Sequence, residues 1–482
     1  LVDDGLERCE DVLASLKAVI DEEMERLGKG RTTTPAEEDA AHEAFRRERG
    51  ASFTGREEYL TAIAKYLGAP ASHPLVVWGY GGSGKSALLA KAIEDARGPD
   101  PANDQPPSAT LVHRFIGATP KSADIRSLLQ DLFGAIGDRY GLEGEMPSDF
   151  NELVRAFRER LEAAGAKRPL LLFLDSLDQL STTYGAQGFT WLPTDLPEGV
   201  WVVASIRADE DDEARLAAAA EAASPSPMSG PLGTLQRTLP ESALLELGPM
   251  SRHDAEKLLA KWLALAGRTL QPEQWDAVLD SFARYDPIEH RGMPLHLRLA
   301  FGRAQTWCSY DKPEGIRDKV RDMVAALYEH LEREHGPLLV GHTLAYLAAT
   351  RNTMGLAEDE ILDLLPTDKE VFDEFKRRSK HTVAEGRIPV IVWSRLYFDL
   401  APYLGTRSSE GATLLAFYHR ELGEVATKRY LEGNRKERHG QLAAMFETMA
   451  DSKGDHSWTG RPRALAELPY HLAGAKDWDA VF

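Results

Sequence analysis

The stretch that decides the fold is Gly79-Tyr80-Gly81-Gly82-Ser83-Gly84-Lys85-Ser86, which matches the phosphate-binding loop pattern G-x-x-x-x-G-K-[ST] at every fixed position. The apolar run 75–78 before it is typical of a short buried strand, and residues 87–93 after it are typical of a helix. Glycines allow backbone N–H groups to turn inward around phosphate oxygens, and the following helix directs its positive end at them. The sequence therefore predicts a strand, a phosphate-binding loop and a helix, in that order.

The loop pattern also predicts roles for its residues. In such loops the lysine reaches the β- and γ-phosphates and the hydroxyl residue binds Mg²⁺. We therefore expect Lys85 to bind these phosphates, Ser86 to be a metal ligand, and the other loop residues with Ala87 to surround the phosphates of ATP or ADP. A GTPase is disfavoured because the sequence has no Asn-Lys-x-Asp motif to recognise guanine.

Strands and helices alternate through the first half of the chain, which predicts a doubly wound α/β domain with a parallel sheet over about residues 50–249. The run 170–174 is apolar throughout, as expected for a strand covered on both faces. The expected strands are 75–78, 111–116, 170–174, 200–206 and 243–247, and the expected helices between them include 122–140 and 149–164.

Charged residues follow two of these strands. Ligands bind at the carboxyl ends of parallel strands, so Asp175, after the strand 170–174, is expected to hold Mg²⁺ directly or through water. Asp178 is a candidate to orient the attacking water, and Arg207 is a candidate to reach the γ-phosphate. The alternatives are a strand-end cap for Asp175, an exposed turn acid for Asp178 and an ordinary surface arginine for Arg207.

From residue 250 onward the strand signal fades and helices dominate. Two short β-like runs, 388–392 and 413–417, follow several helices, and this order predicts a winged helix. Residues 465–482 resemble the start of a helical-repeat array, and residues 6–27 and 36–48 are expected to be amphipathic helices. The other expected helices are 254–266, 271–285, 316–334, 341–347, 357–365, 368–379 and 435–449.

Composition narrows the class of protein. The chain has 482 residues, 43% hydrophobic and 28% charged, and no apolar run approaches the ~18 residues needed to cross a bilayer. Its two cysteines, Cys9 and Cys308, are far apart in sequence, so neither a zinc site nor a disulfide framework is indicated, and a reducing cytoplasm is expected.

The overall charge and composition give two further expectations. The net charge of −19 argues against a chain that wraps around the backbone of a nucleic acid. The missing start Met predicts a fragment, and the alanine-rich composition indicates a GC-rich bacterial genome.

Several short motifs follow one another in a set order along the chain. They are Phe53-Thr54-Gly55-Arg56-Glu57, the phosphate loop, Arg114-Phe115-Ile116-Gly117, Leu174-Asp175-Ser176-Leu177-Asp178-Gln179-Leu180, Ser205-Ile206-Arg207, Gly292-Met293-Pro294-Leu295 and Phe417-Tyr418-His419-Arg420. Together they resemble the NACHT branch of the STAND class of signal-transducing ATPases, within the AAA+-related group, and are nearest to its nephrocystin-type and telomerase-associated-protein-type members. The resemblance spans about residues 40–482.

The resemblance implies further roles. Gly55 and Arg56 would line the adenine side, and Pro294 would pack on the base or ribose. His419, in the winged helix, would contact the β-phosphate of ADP and hold a closed resting state. The family's second acidic position is often an Asp-Glu pair, whereas Gln179 follows Asp178 here, which leaves the rate of hydrolysis open.

The resemblance also implies a division of the chain and a function. The expected parts are a helical linker to an absent effector (1–49), a NACHT P-loop ATPase domain (50–249), a helical domain (250–335), a winged-helix domain (336–432) and a helical region leading into a truncated repeat sensor (433–482). The expected function is a cytoplasmic, slowly hydrolysing ATPase switch. It would oligomerise with copies of itself when a trigger, such as a phage protein, binds, and would activate the fused effector in bacterial antiphage defence or signalling.

Two other functions compete with the switch. A metabolic P-loop kinase predicts a substrate lid and no long helical half, so residues 250–482 argue against it. An ATP-controlled DNA-binding regulator predicts a basic recognition helix, for which Lys376-Arg377-Arg378-Ser379-Lys380 is the candidate. Acidic residues at 368, 370, 373 and 374 lie beside this run, which favours a solvated helix face. Neither nucleic acid nor a membrane is an expected partner.

Overall fold

The structure is a computed structural model, and it describes most of the chain after the first 33 residues. The predicted helix 6–27 lies outside the described residues. The part before residue 250 is called here the α/β half and the part after it the helical half. The described residues are 34–51, 53–97, 109–208, 230–283, 292–378, 390–409, 412–451, 453–455, 458 and 460–481.

The α/β half begins with two helices, and five strands interspersed with helices follow them along the chain. Its first helix, α1 (Pro35–Gly50), starts with a capping box in which Thr34 and Glu37 satisfy each other's backbone N–H groups. The elements that follow are α2 (Glu57–Leu67), β1 (Leu75–Gly79), α3 (Lys85–Arg97), β2 (Thr110–Phe115), α4 (Ile125–Tyr140), α5 (Phe150–Lys167), β3 (Leu170–Asp175), β4 (Val200–Arg207), α6 (Gly230–Thr238) and β5 (Leu244–Glu246).

The five strands form one sheet in the order β2-β3-β4-β1-β5, and every pairing in it is parallel. Successive side chains of a strand point to opposite faces, so Val76 joins the core on one face and Val77 the core on the other. The pairing of β1 with β4 sets Gly79 beside Arg207. The predicted α/β fold with a parallel sheet is therefore confirmed, and the ends of its strands gather the expected site residues at one edge.

Helix α1 covers the open edge of this sheet. Strand β2 is an edge strand, and its Phe115 N–H donates to Nδ1 of the fully buried His42 at 3.1 Å. Arg49, near the end of α1, donates to the backbone oxygen of Tyr418 at 2.8 Å and stacks over that tyrosine's ring. Helix α1 therefore contacts both the sheet edge and the helical half.

The helical half consists of helices and one small sheet. The predicted helices are found with boundary shifts of a few residues, and α9, α14 and α15 were not predicted. The elements are α7 (Arg252–Leu265), α8 (Pro272–Ala283), α9 (Pro294–Ala304), α10 (Val320–His335), α11 (Pro337–Ala349), β6 (Leu356–Ala357), α12 (Glu358–Leu364), α13 (Lys369–Arg378), α14 (Val390–Leu400), β7 (Leu404–Ser409), β8 (Ala412–Phe417), α15 (Arg420–Ala426), α16 (Arg435–Ala450), α17 (Pro462–Ala475) and α18 (Trp478–Val481).

The small sheet corrects one prediction. Its order is β6-β8-β7, with antiparallel pairings, and the predicted run 413–417 lies in β8. The run 388–392 is not a strand, because its described part begins helix α14, where Trp393, Leu396 and Leu400 are buried at helical spacing. The hairpin partner of β8 is β7, whose sequence Leu-Gly-Thr-Arg-Ser-Ser has little apolar signal. Residues 337–426, which hold this sheet, are called here the hairpin unit.

One hydrophobic core joins the whole helical half. Among the described residues, it contains buried side chains from Met250 to Leu468, including residues of α7, α10, α11, the small sheet and α16. The hairpin unit is therefore packed into the helical half as part of a single body. Among the described helices, none is long and apolar enough to cross a membrane.

Candidate nucleotide-binding site

The phosphate loop connects the end of β1 to the start of α3, as predicted. Gly82 and Gly84 have φ angles of +78° and +93°, a conformation that favours glycine. The Lys85 ammonium donates to the backbone oxygens of Gly79 at 2.8 Å and Tyr80 at 2.9 Å. The Lys85 ammonium is therefore held against the backbone of the loop, where it could contact a phosphate bound in the loop.

Asp175 and Ser86 lie together beneath the loop. Asp175, 2% exposed, accepts hydrogen bonds from the Ser205 hydroxyl at 2.5 Å and the Ser176 hydroxyl at 3.1 Å, and Ser86 is a further hydrogen-bond partner. Burial raises the pKa of Asp175, and these hydroxyl groups act against that rise. The carboxylate and hydroxyl oxygens are ligands that suit Mg²⁺.

The oxygen ligands Asp175 and Ser86 suit a Mg²⁺ ion that is bound partly by phosphates and water, rather than a metal ion bound by protein side chains alone. Among the described residues there is no group of three or more His, Cys, Asp and Glu side chains that could hold a metal ion. Magnesium is usually bound by one or two carboxylates together with substrate phosphates, and it keeps several waters. When bound, it would neutralise phosphate charge during transfer, with Asp175 and Ser86 as the protein's contribution.

Asp178 and Arg207 lie next to each other at the ends of neighbouring strands. Oδ1 of Asp178 accepts the backbone N–H of Arg207 at 3.0 Å, and its Oδ2 lies 3.9 Å from the Arg420 guanidinium. Arg207, 7% exposed, donates to Oε1 of Glu421 at 3.0 Å and Oε1 of Glu424 at 3.3 Å. The ordinary surface arginine is therefore excluded for Arg207, while its contact with a phosphate stays a prediction.

Gly55 and Arg56 lie beside the start of the helical half, where Asp254 is next to Gly55 and Pro249 is bonded to Arg56. Both have positive φ angles, 79° and 66°. Arg56 is 3% exposed, and its guanidinium donates to the backbone oxygens of Pro249 at 2.9 Å and Ser83 at 3.4 Å. Arg56 thus ties the phosphate loop to the segment that leads into the helical half, and its contact with adenine stays a prediction.

Pro294 and Leu295 begin helix α9 and pack on the loop. The Leu295 N–H donates to the backbone oxygen of Gly82 at 3.3 Å. A Cβ atom placed on Gly82 would lie 2.7 Å from Leu295 Cβ, and one placed on Gly84 would lie 3.6 Å from Pro294 Cγ. Glycine is therefore needed at Gly82 for close packing as well as for the loop conformation. Pro294 lies at the loop, and its contact with a nucleotide stays a prediction.

His419 is the residue before helix α15 and caps it. Its Nδ1 accepts the backbone N–H of Glu421 at 3.3 Å, so this nitrogen is unprotonated and Nε2 carries the proton of a neutral ring. The cap fixes the first turn of α15, which faces the phosphate loop through Glu421. His419 is thus two residues before the acid that pairs with Arg207, and its contact with a phosphate stays a prediction.

Sequence reasoning missed three residues that cover the site: Arg321, Glu421 and Glu424. Glu421 is 1% exposed, and Arg321 lies 3.6 Å from it and 3.4 Å from Glu424. The available signal in the sequence was only that an acidic residue stands two positions after the motif histidine, and its burial is seen in the structure alone. The motif itself, which ends at Arg420, gave no reason to follow the chain further.

The comparisons with known proteins identify the type of domain that holds the phosphate loop. Residues 52–229 match the family described as an AAA ATPase domain. The chain is 32% identical over 433 residues to human NACHT domain- and WD repeat-containing protein 1, covering 87% of this chain and 25% of that protein. It is 27% identical to mouse NACHT and WD repeat domain-containing protein 2, covering 92% and 24%, and 26% identical to rat telomerase protein component 1, covering 91% and 16%.

These findings define the class. The chain contains a P-loop ATPase domain of the AAA type, followed by a helical region, and it is similar to NACHT-domain proteins. It spans about a quarter or less of the length of these curated relatives. The relatives named here are animal proteins, so they give no support to a bacterial origin or to the nephrocystin type.

Proposed function

We propose that this chain is a regulatory ATPase switch that binds ATP or ADP with Mg²⁺ at the phosphate loop and hydrolyses ATP slowly. One observation carries the proposal: the helical half packs on the phosphate loop itself. Leu295 contacts Gly82, and a Cβ atom on Gly81 would lie 2.8 Å from Oε1 of Glu421. A ligand in the loop therefore meets residues of both halves.

This contact supplies the physical basis of a switch. A ligand shifts an equilibrium between two arrangements only through contacts that differ between them. The phosphates would bind next to groups that belong to the helical half. The number of phosphates can therefore change how well the helical half packs against the phosphate loop. Binding, hydrolysis and the arrangement of the two halves are coupled in this proposal.

The proposed roles follow the positions of the side chains. Lys85 binds the β- and γ-phosphates, Ser86 and Asp175 hold Mg²⁺, and Arg207 approaches the γ-phosphate. Asp178 would orient the attacking water once Arg420 has moved with the helical half. His419 would donate from Nε2 to the β-phosphate of ADP and so stabilise the closed form.

The proposed output is assembly. We propose that the ATP-bound form associates with further copies of this chain, that hydrolysis returns it to the resting form, and that the trigger is recognised by segments such as the WD repeats in the relatives' names. The expected antiphage role rested on a bacterial origin, for which these animal relatives give no support. We therefore propose the switch without a particular trigger.

Light scattering coupled to size exclusion tests this function. The chain is run with ADP and Mg²⁺, and with a non-hydrolysable ATP analogue and Mg²⁺, beside Lys85→Ala as the variant that should bind neither. We expect a monomeric mass with ADP, a larger mass with the analogue, and no response in Lys85→Ala. An unchanged mass in a chain that demonstrably binds both nucleotides would contradict the switch.

A further inference from the structure

A buried carboxylate from the helical half lies against the phosphate loop. Glu421, in α15, is 1% exposed, and its Oε1 accepts a hydrogen bond from Arg207 at 3.0 Å. A Cβ atom placed on Gly81 would lie 2.8 Å from that same oxygen and 3.2 Å from Nε of Arg207. The carboxylate therefore fills the space directly over the third residue of the loop.

This part of the loop is where the terminal phosphate of a nucleotide is expected. Helix α3 starts at Lys85, and its positive end serves the inner phosphates. The Lys85 ammonium, which serves the β- and γ-phosphates, lies at the oxygens of Gly79 and Tyr80, the two residues just before Gly81. Glu421 is thus on the γ-phosphate side of the site.

A carboxylate and a phosphate oxygen are recognised by the same donors. Both carry negative charge and both accept charge-assisted hydrogen bonds from guanidinium groups. Glu421 has two such neighbours, Arg207 at 3.0 Å and Arg321 at 3.6 Å. Two anions cannot share these donors at contact distance without strong repulsion in a buried site, so a γ-phosphate and Glu421 compete.

The surrounding charges make this exchange reversible. Around Glu421 the described side chains form a compact set of acids and arginines that pair with one another across the two halves. Glu424 bridges Arg207, Arg321 and Arg420, and Arg420 also approaches Asp178. Leaving the loop would return Glu421 to water and release Arg207 to a phosphate, while the half-exposed Arg321 stays in contact with water, so neither state needs an unpaired buried charge.

We propose that Glu421 is a specificity residue that takes the place of the γ-phosphate in the closed form. The closed chain then accepts a nucleoside diphosphate, while a triphosphate has to displace Glu421, and with it α15, from Arg207. This proposal rests on the proposed function, because it requires that nucleotide binds at the phosphate loop.

The test compares the affinities for ADP and ATP, each with Mg²⁺, by calorimetry. Glu421→Gln keeps the size of the side chain and removes its charge. We expect its ATP affinity to rise about tenfold relative to its ADP affinity, with ADP binding changed by less than about threefold. The matched control is Glu332→Gln, which removes an acid that pairs with Arg429 at 2.9 Å and accepts from Tyr430 at 2.7 Å. This control should leave the ratio unchanged.

A second variant protects the test against misfolding of the first. Arg321→Gln changes a half-exposed side chain and weakens the hold on Glu421 without touching the loop, so it should shift the ratio in the same direction by a smaller factor. An unchanged ratio in Glu421→Gln, or in Arg321→Gln if the first variant does not fold, overturns the proposal while nucleotide binding stands. Absence of any nucleotide binding in the unaltered chain overturns the proposed function itself, and this proposal with it.

Discussion

The two halves of the molecule are held together in different ways. The sheet of the α/β half separates two cores, one on each face, and the site residues emerge from its strand ends. The helical half has a single core from Met250 to Leu468, and its residues reach the site only because that body lies against the loop. One half therefore builds the site locally, and the other covers it as a unit.

The two halves contain residues with different roles: those of the α/β half act on a nucleotide directly, and those of the helical half act on how the halves fit together. Changes at Lys85 and Asp175 should act on binding and turnover in the α/β half alone. Changes at His419 and Glu421 should act through the fit between the halves. The predictions below separate these two kinds of effect.

The largest expected effect is at the loop lysine. Lys85→Ala should reduce ATP and ADP affinity at least a hundredfold, because it removes the cation that serves the β- and γ-phosphates. Calorimetry measures this directly. Lys91→Ala is the matched control, since Lys91 lies on the same helix and pairs with Glu94 and Asp95. Normal ATP affinity in Lys85→Ala would show that nucleotide binds elsewhere.

The metal-site carboxylate comes second. Asp175→Asn should lower Mg²⁺-dependent ATP turnover at least about a hundredfold, because the amide cannot supply the negative charge that Mg²⁺ prefers in a ligand. Thermal unfolding should change little, since the amide oxygen can accept from one of the two serine hydroxyl groups and the amide nitrogen can donate to the other. Phosphate release gives the turnover, and full activity in this variant would place the metal site at another residue.

A smaller effect is expected where the halves meet. His419→Ala should weaken ADP binding about tenfold to a hundredfold, because a hydrogen bond to a charged group contributes about 1.5–3 kcal/mol. The substitution also removes the cap of α15, which costs about 0.5–2 kcal/mol. His419→Asn separates the two effects, since asparagine caps well but lacks the imidazole. Normal ADP binding in both variants would leave His419 with a capping role alone.

The sequence predicted the α/β half far better than the arrangement of the helical half. The loop, Asp175 and Arg207 follow from strand ends, where sequence distance is short and parallel pairing fixes neighbours. Glu421 is more than 300 residues from the loop, and Arg321 meets it from a different helix. Their convergence depends on packing of a large core, which no local pattern encodes. Strand β7 was not predicted for a related reason. Its residues form a strand because they pair with β8, and their composition alone does not indicate one.

Acid should destabilise both halves, and this is the smallest of the expected effects. Burial lowers the pKa of His113 to about 3 and the pKa values of His342 and His439 to about 4. In the unfolded chain these pKa values return to about 6.5. Between pH 6.5 and 4 the unfolded state therefore binds protons that the native state does not, and the free energy of unfolding falls as the pH falls.

Urea unfolding at pH 7 and pH 5 measures this loss. Each histidine contributes up to about 1.4 kcal/mol per pH unit within that window. His113→Gln should reduce the pH dependence of the α/β half, and His342→Gln that of the helical half. A pH dependence that both variants leave unaltered would assign the acid sensitivity to other groups.

The distance between the two halves tests most directly whether nucleotide state sets their arrangement. Cys9 and Cys308, the two cysteines of the sequence, are replaced by serine, and spin labels are placed at Glu94→Cys on α3 and at Lys428→Cys in the helical half. Pulsed electron resonance then gives the distance distribution with ADP and with a non-hydrolysable ATP analogue, each with Mg²⁺. We expect one narrow, short distance with ADP and a longer population with the analogue. The same distribution with both nucleotides, each shown to be bound, would contradict it.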